Sequence, residues 1–150
     1  MNTIVIATDG SCLRRRGPGG WAAIIQHPLG ETVYVGHAAR TTSNRMELAA
    51  LLGGLEGLAT LPDSRGLAVT VLTDSASLAR GLNGAIGAWL IRPCKDADLW
   101  RAIAAALPAG PVNAMWVPSR QHRLNQQADA LARSAALFAD RGVQPAIHWA

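Results

Sequence analysis

Apolar and β-branched residues crowd five short stretches of this chain, and polar and apolar residues alternate at helical spacing in four longer ones. Thr3-Ile4-Val5-Ile6-Ala7-Thr8 predicts a buried strand over 3–9. Gly17-Pro18-Gly19-Gly20 reads as a turn, and strands follow over Trp21 to Gln26 and Thr32 to Ala38. His27-Pro28-Leu29-Gly30 suits the hairpin between them. Leu48, Leu51, Leu52, Leu55 and Leu58 form one stripe of a helix over 44–60, broken by Leu61-Pro62-Asp63-Ser64-Arg65-Gly66. A second buried strand spans 67–73. A short helix runs from Ser75 to Leu82 and ends at Asn83-Gly84. Residues 85–95 hold a turn of helix and a loop at Arg92-Pro93-Cys94-Lys95. Asp96 to Leu107 is a helix opened by acids, which the helix dipole favours. Val112 to Val117 is a third buried strand, Pro118 to Leu124 a basic loop, and 125–140 the final helix. Trp21, Trp100 and Trp116 fall inside elements and are expected in the core or half-buried, whereas Trp149 carries no assignment.

The order β-β-β-α-β-α-α-β-α predicts an α/β fold. One five-stranded mixed sheet, with three N-terminal antiparallel strands and two further parallel strands, is flanked by helices. The 150 residues suit one domain over 1–150, with a loose tail after about 142. No apolar run is long enough to cross a bilayer, and no export leader opens the chain. Cys12 and Cys94 lack metal-like or redox-like spacing and read as reduced thiols of a cytoplasmic protein, expected to be a monomer. Charge changes the picture. The net charge is +4, and of 14 basic residues all but Lys95 are arginine, whose planar fork suits phosphate.

Four of the ten acids sit in awkward places. Asp9 and Asp74 end the strands over 3–9 and 67–73, Glu47 lies in a leucine-rich helix, and Asp129 lies among alanines. A buried carboxylate persists only when paired, hydrogen-bonded or bound to metal. If the two strands pair in parallel, Asp9 and Asp74 share one end of the sheet, where ligands of open α/β sheets collect. Four acids without His or Cys ligands suit Mg²⁺ or Mn²⁺, and two ions suit displacement at phosphorus. Each acid also has a plain explanation. Asp74-Ser75 caps the next helix, Glu47 completes a capping box with Asn44, Asp129 pairs with Arg133, and Asp9 precedes a turn.

The stretches Thr8-Asp9-Gly10-Ser11-Cys12, Gly17-Pro18-Gly19-Gly20-Trp21-Ala22, Thr41-Thr42-Ser43-Asn44-Arg45-Met46-Glu47-Leu48, Thr73-Asp74-Ser75, Asp98-Leu99-Trp100 and Asn125-Gln126-Gln127-Ala128-Asp129-Ala130-Leu131-Ala132-Arg133 resemble type 1 ribonuclease H of the prokaryotic kind, in the family's order, across residues 3 to about 137. The resemblance implies the RNase H fold. It implies endonucleolytic hydrolysis of the RNA strand of an RNA–DNA hybrid, leaving 5′-phosphate and 3′-hydroxyl ends. It makes Asp9, Glu47, Asp74 and Asp129 the ligands of two Mg²⁺ ions, for which Mn²⁺ substitutes. Glu47 would also read a ribose 2′-hydroxyl, Asn44 a minor-groove edge and Thr42 a DNA-strand phosphate. His122 matches a mobile histidine that assists proton transfer or product release; the competing reading is an idle loop histidine. Substrate contact extends to Cys12 and Ser43.

The sequence departs from the family in several places. Arg14-Arg15-Arg16 replaces a Gly-Asn-Pro-like turn, with Arg15 in the place of a substrate-contacting asparagine. Ser43 replaces a second asparagine and Ala76 a glutamine. Between Trp89 and Asp98 a long basic handle is trimmed, with Arg92 and Lys95 as remnants. Trp89 stacks near the DNA strand or belongs to the core. Two other functions remain open: a hybrid-binding module without catalysis, and another nuclease on the same fold.

Overall fold

The computed structural model describes residues 3–91 and 94–141. Five strands form one sheet in the order β3-β2-β1-β4-β5. They are β1 (Thr3–Cys12), β2 (Gly17–His27), β3 (Gly30–Thr41), β4 (Ala68–Thr73) and β5 (Val112–Trp116). β1–β2 and β2–β3 pair antiparallel, whereas β1–β4 and β4–β5 pair parallel. The helices are α1 (Ser43–Leu58), α2 (Ala76–Arg80), α3 (Ile86–Ile91), α4 (Ala97–Ala106) and α5 (Arg123–Asp140). This is the mixed five-stranded arrangement expected from the order of elements. The predicted tail after 142 and Arg92 lie outside the described residues.

Side chains alternate across a strand, so the sheet presents two apolar faces. Ile4, Ile6, Ala23, Ile25, Val69 and Val71 face the leucine stripe of α1 and Trp100 and Ile103 of α4. Ala7, Ala22, Ile24 and Leu72 face Leu124, Ala128 and Ala132 of α5. The alanine face of α5 makes it smooth, and glycine on the sheet lets it come close. A Cβ at Gly20 would lie 2.5 Å from Ala136 N and 2.6 Å from Ala135 Cβ.

That contact explains a correction. Gly17 to Gly20 is not a turn but the start of β2, paired with Ser11 and Cys12 on one side and with Ala38 and His37 on the other. Its glycines serve close packing rather than chain reversal. β1 likewise runs past Asp9 to Cys12, and only Leu13 to Arg16 bend. Asn83-Gly84 breaks the helical course as expected: Gly84 is non-helical (φ 139°), and the chain kinks there between the stretch opened by α2 and the separate helix α3. The Asn83 amide is bonded elsewhere: Nδ2 donates to Ala114 O at 3.0 Å, and Oδ1 accepts from Ala114 N at 2.8 Å. The hairpin at Pro28-Leu29 is held by buried His27, whose Nδ1 lies 2.9 Å from Asp63 Oδ2 and whose Nε2 lies 2.8 Å from Thr32 Oγ1.

Of the tryptophans expected to be covered, Trp100 is buried and Trp21 half-buried, but Trp116 is 54% exposed, because it ends the edge strand. Trp89 packs on the core, edge-to-face with Trp100 at 5.0 Å.

Replacing Gly20 with alanine should push α5 off the sheet and cost about 1–3 kcal/mol. Thermal unfolding should shift down by about 2–4 °C per kcal/mol in a chain of this size. A transition unchanged within error would mean that α5 does not depend on this approach.

Candidate active site

The parallel ladder between β1 and β4 ends with Ala7 opposite Leu72. Asp9 and Asp74 follow two residues later on each chain. α1 crosses above them. Its approach is set by Gly10, where a Cβ would stand 2.5 Å from Met46 C and 2.8 Å from Met46 Cβ. The glycine that resembled a turn signal after Asp9 is the reason Glu47 reaches Asp9. One carboxylate oxygen each from Asp9, Glu47 and Asp74 lies within 4.8 Å of the others.

The capping explanations of Asp74 and Glu47 fail in the structure. Ser75, not Asp74, caps α2, its Oγ accepting from Leu78 N at 3.2 Å. Thr42, not Asn44, caps α1, its Oγ1 accepting from Arg45 N at 3.2 Å, which leaves Glu47 two positions too far along for a capping box. Trp116 Nε1 donates to Asp74 O at 3.0 Å and steadies the backbone there.

Asp9 is 7% exposed, and its pKa is raised to about 7, first by burial and then by Asp74. Gly10 N donates to Asp9 Oδ1 at 2.9 Å, which opposes that rise. Glu47 is pushed up to about 10, again by burial first and then by Asp9 and Asp74. Its Oε2 is buried without a hydrogen-bond partner. A buried carboxylate oxygen with no donor, facing two further carboxylates, fits a hard divalent cation held by oxygen. The cluster Asp9-Glu47-Asp74 is therefore able to hold such a metal.

Asp129 stands apart from this trio. It is near enough to help raise the Asp9 pKa, yet its Oδ2 lies 3.2 Å from Arg133 Nε and 3.9 Å from Arg120 Nε. The pairing with Arg133 is the plain alternative raised from spacing. His122 lies outside the trio as well. It caps α5, its Nδ1 accepting from Leu124 N at 3.1 Å, so its proton belongs on Nε2. Arg14, Arg15 and Arg16 are exposed on the bend between β1 and β2. Arg14 bridges to Asp140 at 3.1 Å, whereas Arg15 and Arg16 have no ion pair among the described residues. The Cys12 thiol points to the carbonyls of Thr41 at 3.6 Å and Gly17 at 3.7 Å, a structural tie. Ser43 is exposed at the first turn of α1, next to the capping Thr42.

Asn44 has a partner that the sequence did not suggest. Its Nδ2 donates to Asp96 Oδ2 at 2.6 Å, and Arg45 Nη1 reaches Asp96 Oδ1 at 3.0 Å. Arg45 also forks onto Asp98 at 3.0 and 2.8 Å and holds that carboxyl down at about 2. Asp96 reads in sequence only as an acid opening a helix, and no local signal marks a contact 52 residues away.

Both shifted acids titrate above the ordinary carboxylate value of about 4. Without metal, the folded state keeps protons that the unfolded chain releases, so stability falls as pH rises from about 4 through the Asp9 value of about 7 and on toward the Glu47 value of about 10. Below about pH 4 both states are protonated and the pair contributes nothing. The metal-free protein should therefore melt lower at pH 9 than Asp9→Asn does, and Mg²⁺ should raise the melting temperature of the unsubstituted protein more than that of the variant. Calorimetry in chelator and in Mg²⁺ measures both, and a variant that melts below the parent in chelator contradicts the assignment.

Residues 1–137 match the family model described as RNase H. The chain is 40% identical over 139 residues to the ribonuclease H of Phenylobacterium zucineum, spanning 87% of this chain and 88% of that one. It is 40% identical over 147 residues to the ribonuclease H of Dinoroseobacter shibae, spanning 89% and 90%. Among solved structures, LC11-RNase H1, isolated from compost by a metagenomic approach, superposes with a TM-score of 0.71 at 26% identity, covering 93% of this chain and 99% of that one. The same LC11 enzyme in complex with RNA/DNA hybrid gives 0.73 at 24% identity, covering 91% and 98%, a likeness of fold. Among the described residues no helix is long and apolar enough to cross a membrane. With its sheet order, its trio of acids and these relatives, the chain belongs to the ribonuclease H family.

Proposed function

We propose that this ribonuclease H hydrolyses the RNA strand of RNA–DNA hybrids at Asp9, Glu47, Asp74 and Asp129, with Mg²⁺ as cofactor, leaving 5′-phosphate and 3′-hydroxyl ends. The observation that carries the reading is the convergence of Asp9, Glu47 and Asp74 around a buried Glu47 oxygen that has no donor. The hybrid complex of LC11-RNase H1 supports the choice of substrate. Two Mg²⁺ ions held by these acids, with Mn²⁺ able to replace them, would supply charge neutralisation at the scissile phosphate and an acidified water.

The chain's own residues do the rest. Asp9 and Asp74, fixed by paired strands, supply the rigid floor, and Glu47 approaches from the head of α1. Asp129 joins by leaving Arg120 and Arg133, both of which are then free for phosphate. Thr42, at the N-terminus of α1, lies where backbone N–H groups favour an anion. Asn44 and Glu47, three apart on one helix, face the same way and read the minor groove and the 2′-hydroxyl. Ser43 and Cys12 flank them, Cys12 through the strand ends that it ties. His122 carries its exchangeable proton on Nε2, opposite the capping nitrogen, which suits a late proton exchange with product. Arg15 and Arg16 offer unpaired charge to the backbone. Two free, half-buried thiols suit a reducing, cytoplasmic compartment.

Strand-specific cleavage of an end-labelled hybrid tests this reading. Cleavage of the RNA strand should require Mg²⁺ or Mn²⁺, and Asp9→Asn should lower the rate by about 100-fold or more, as expected when a group stabilising transition-state charge is removed. Metal-saturated protein that binds hybrid without cutting it would mark a binding module, and preferential cleavage of duplex DNA another nuclease.

A second test concerns the arginine bend. Because Arg14 already bridges to Asp140, changing Arg14, Arg15 and Arg16 together to alanine should reduce the slope of log affinity against log salt by about 2 rather than 3. An unchanged slope removes these residues from the interface.

A further inference from the structure

We infer that Asp96 is a positioning residue for substrate recognition, which acts through Asn44 to fix the hydrogen-bonding atom that the head of α1 presents to the RNA strand. The inference rests on hybrid cleavage as proposed above. Asp96 adopts φ 59°, ψ 33°, a left-handed conformation that a residue with a Cβ takes at a cost. Such outliers persist where the surroundings over-determine them, and they gather at functional sites.

A second anomaly points the same way. Aspartate before a helix ordinarily caps it by accepting from the first-turn N–H groups. Asp96 stands at that position of α4 and makes no side-chain cap bond. Its carboxylate turns instead to α1, where both oxygens are used: Oδ2 by Asn44 Nδ2 at 2.6 Å and Oδ1 by Arg45 Nη1 at 3.0 Å. The Asp96 side chain is 8% exposed, so its carboxylate is largely withdrawn from water. Its own helix forgoes a cap to keep this contact.

The chemistry of the partner gives the contact a meaning. A carboxylate only accepts, so the planar carboxamide of Asn44 must turn its nitrogen toward Asp96. The amide oxygen then lies on the other arm, and it has no hydrogen bond among the described residues. An acceptor presented to a minor groove selects donors: the ribose 2′-hydroxyl or the guanine amino group. Deoxyribose offers none. Asp96 thereby sets the polarity of a reading group three residues before Glu47, and it does so from the loop where the chain is short. Arg45, shared between Asp96 and Asp98, keeps that loop against α1.

Steady-state kinetics on a hybrid at saturating Mg²⁺ test the role, with Asp96→Gly, Asn44→Ala, the double variant and Asp98→Ala. Glycine accepts positive φ, so Asp96→Gly removes the carboxylate without adding strain. It should raise KM by about tenfold, the loss of roughly one well-oriented hydrogen bond, with a much smaller change in kcat. The double variant should match Asn44→Ala alone, because Asp96 has no other route to the substrate. Asp98→Ala loosens Arg45 while leaving Asn44 held, and it should lower the melting temperature but not raise KM. Should glycine prevent folding, Asp96→Asn, whose amide no longer dictates the orientation of Asn44, serves in the same comparison. An unaltered KM in folded Asp96→Gly, losses that multiply in the double variant, or an equal rise in Asp98→Ala each overturns the positioning role. An inactive unsubstituted protein instead refutes the hybrid-cleavage reading, so the two failures are distinct.

Discussion

The repulsion among three carboxylates, held together where water is scarce, is the constraint on which this structure turns. Asp9, Glu47 and Asp74 would separate if they were free to do so, and the fold denies them that freedom. Two are fixed just past the last rung of the parallel ladder between β1 and β4, and the third on a helix packed directly on a glycine. Burial first, and then the neighbouring acids, push Asp9 and Glu47 toward holding protons. A cation relieves the same stress more completely than a proton, because it satisfies several oxygens at once. Affinity for metal is in this sense built by the packing of the core and released at the sheet's end.

The packing that enforces this depends on small residues in a few places. Gly10 admits α1, Gly20 admits α5, and the alanines of α5 present a flat face to β1 and β2. A larger residue at any of these contacts would lift a helix by a few tenths of an ångström or more, and the acids carried on α1 and α5 would move with it. The geometry of the site is therefore set as much by glycine and alanine as by the acids.

Much of this was legible along the chain. Crowded β-branched residues marked β1 and β4, and the leucine stripe marked α1, because strands and helices bury their faces with different periods. Placing Asp9 and Asp74 at one end of neighbouring strands needed only the order of elements and the habit of crossovers. One reading failed for a physical reason. Gly17 to Gly20 carries turn chemistry, but glycine also permits close approach, and only the folded neighbours decide between these uses. Trp116 is exposed because β5 lies at the edge of the sheet, a fact of topology and not of local pattern. The tie between Asn44 and Asp96 was invisible, since it joins segments with no shared periodicity.

The bond pair between Asn83 and Ala114 bears on how molecules of this protein meet one another. An outermost strand offers its unpaired main-chain groups to any extended segment that drifts alongside, which is how sheets fuse between chains. At the middle of β5 both groups of Ala114 are already occupied by one carboxamide. The sheet is closed there by a side chain that imitates a sixth strand one residue long. Because Ala114 is buried, those two bonds also keep its main-chain groups from being shut away from water without partners, so the border of the sheet and the turn that covers it are held by one side chain with no part in the chemistry.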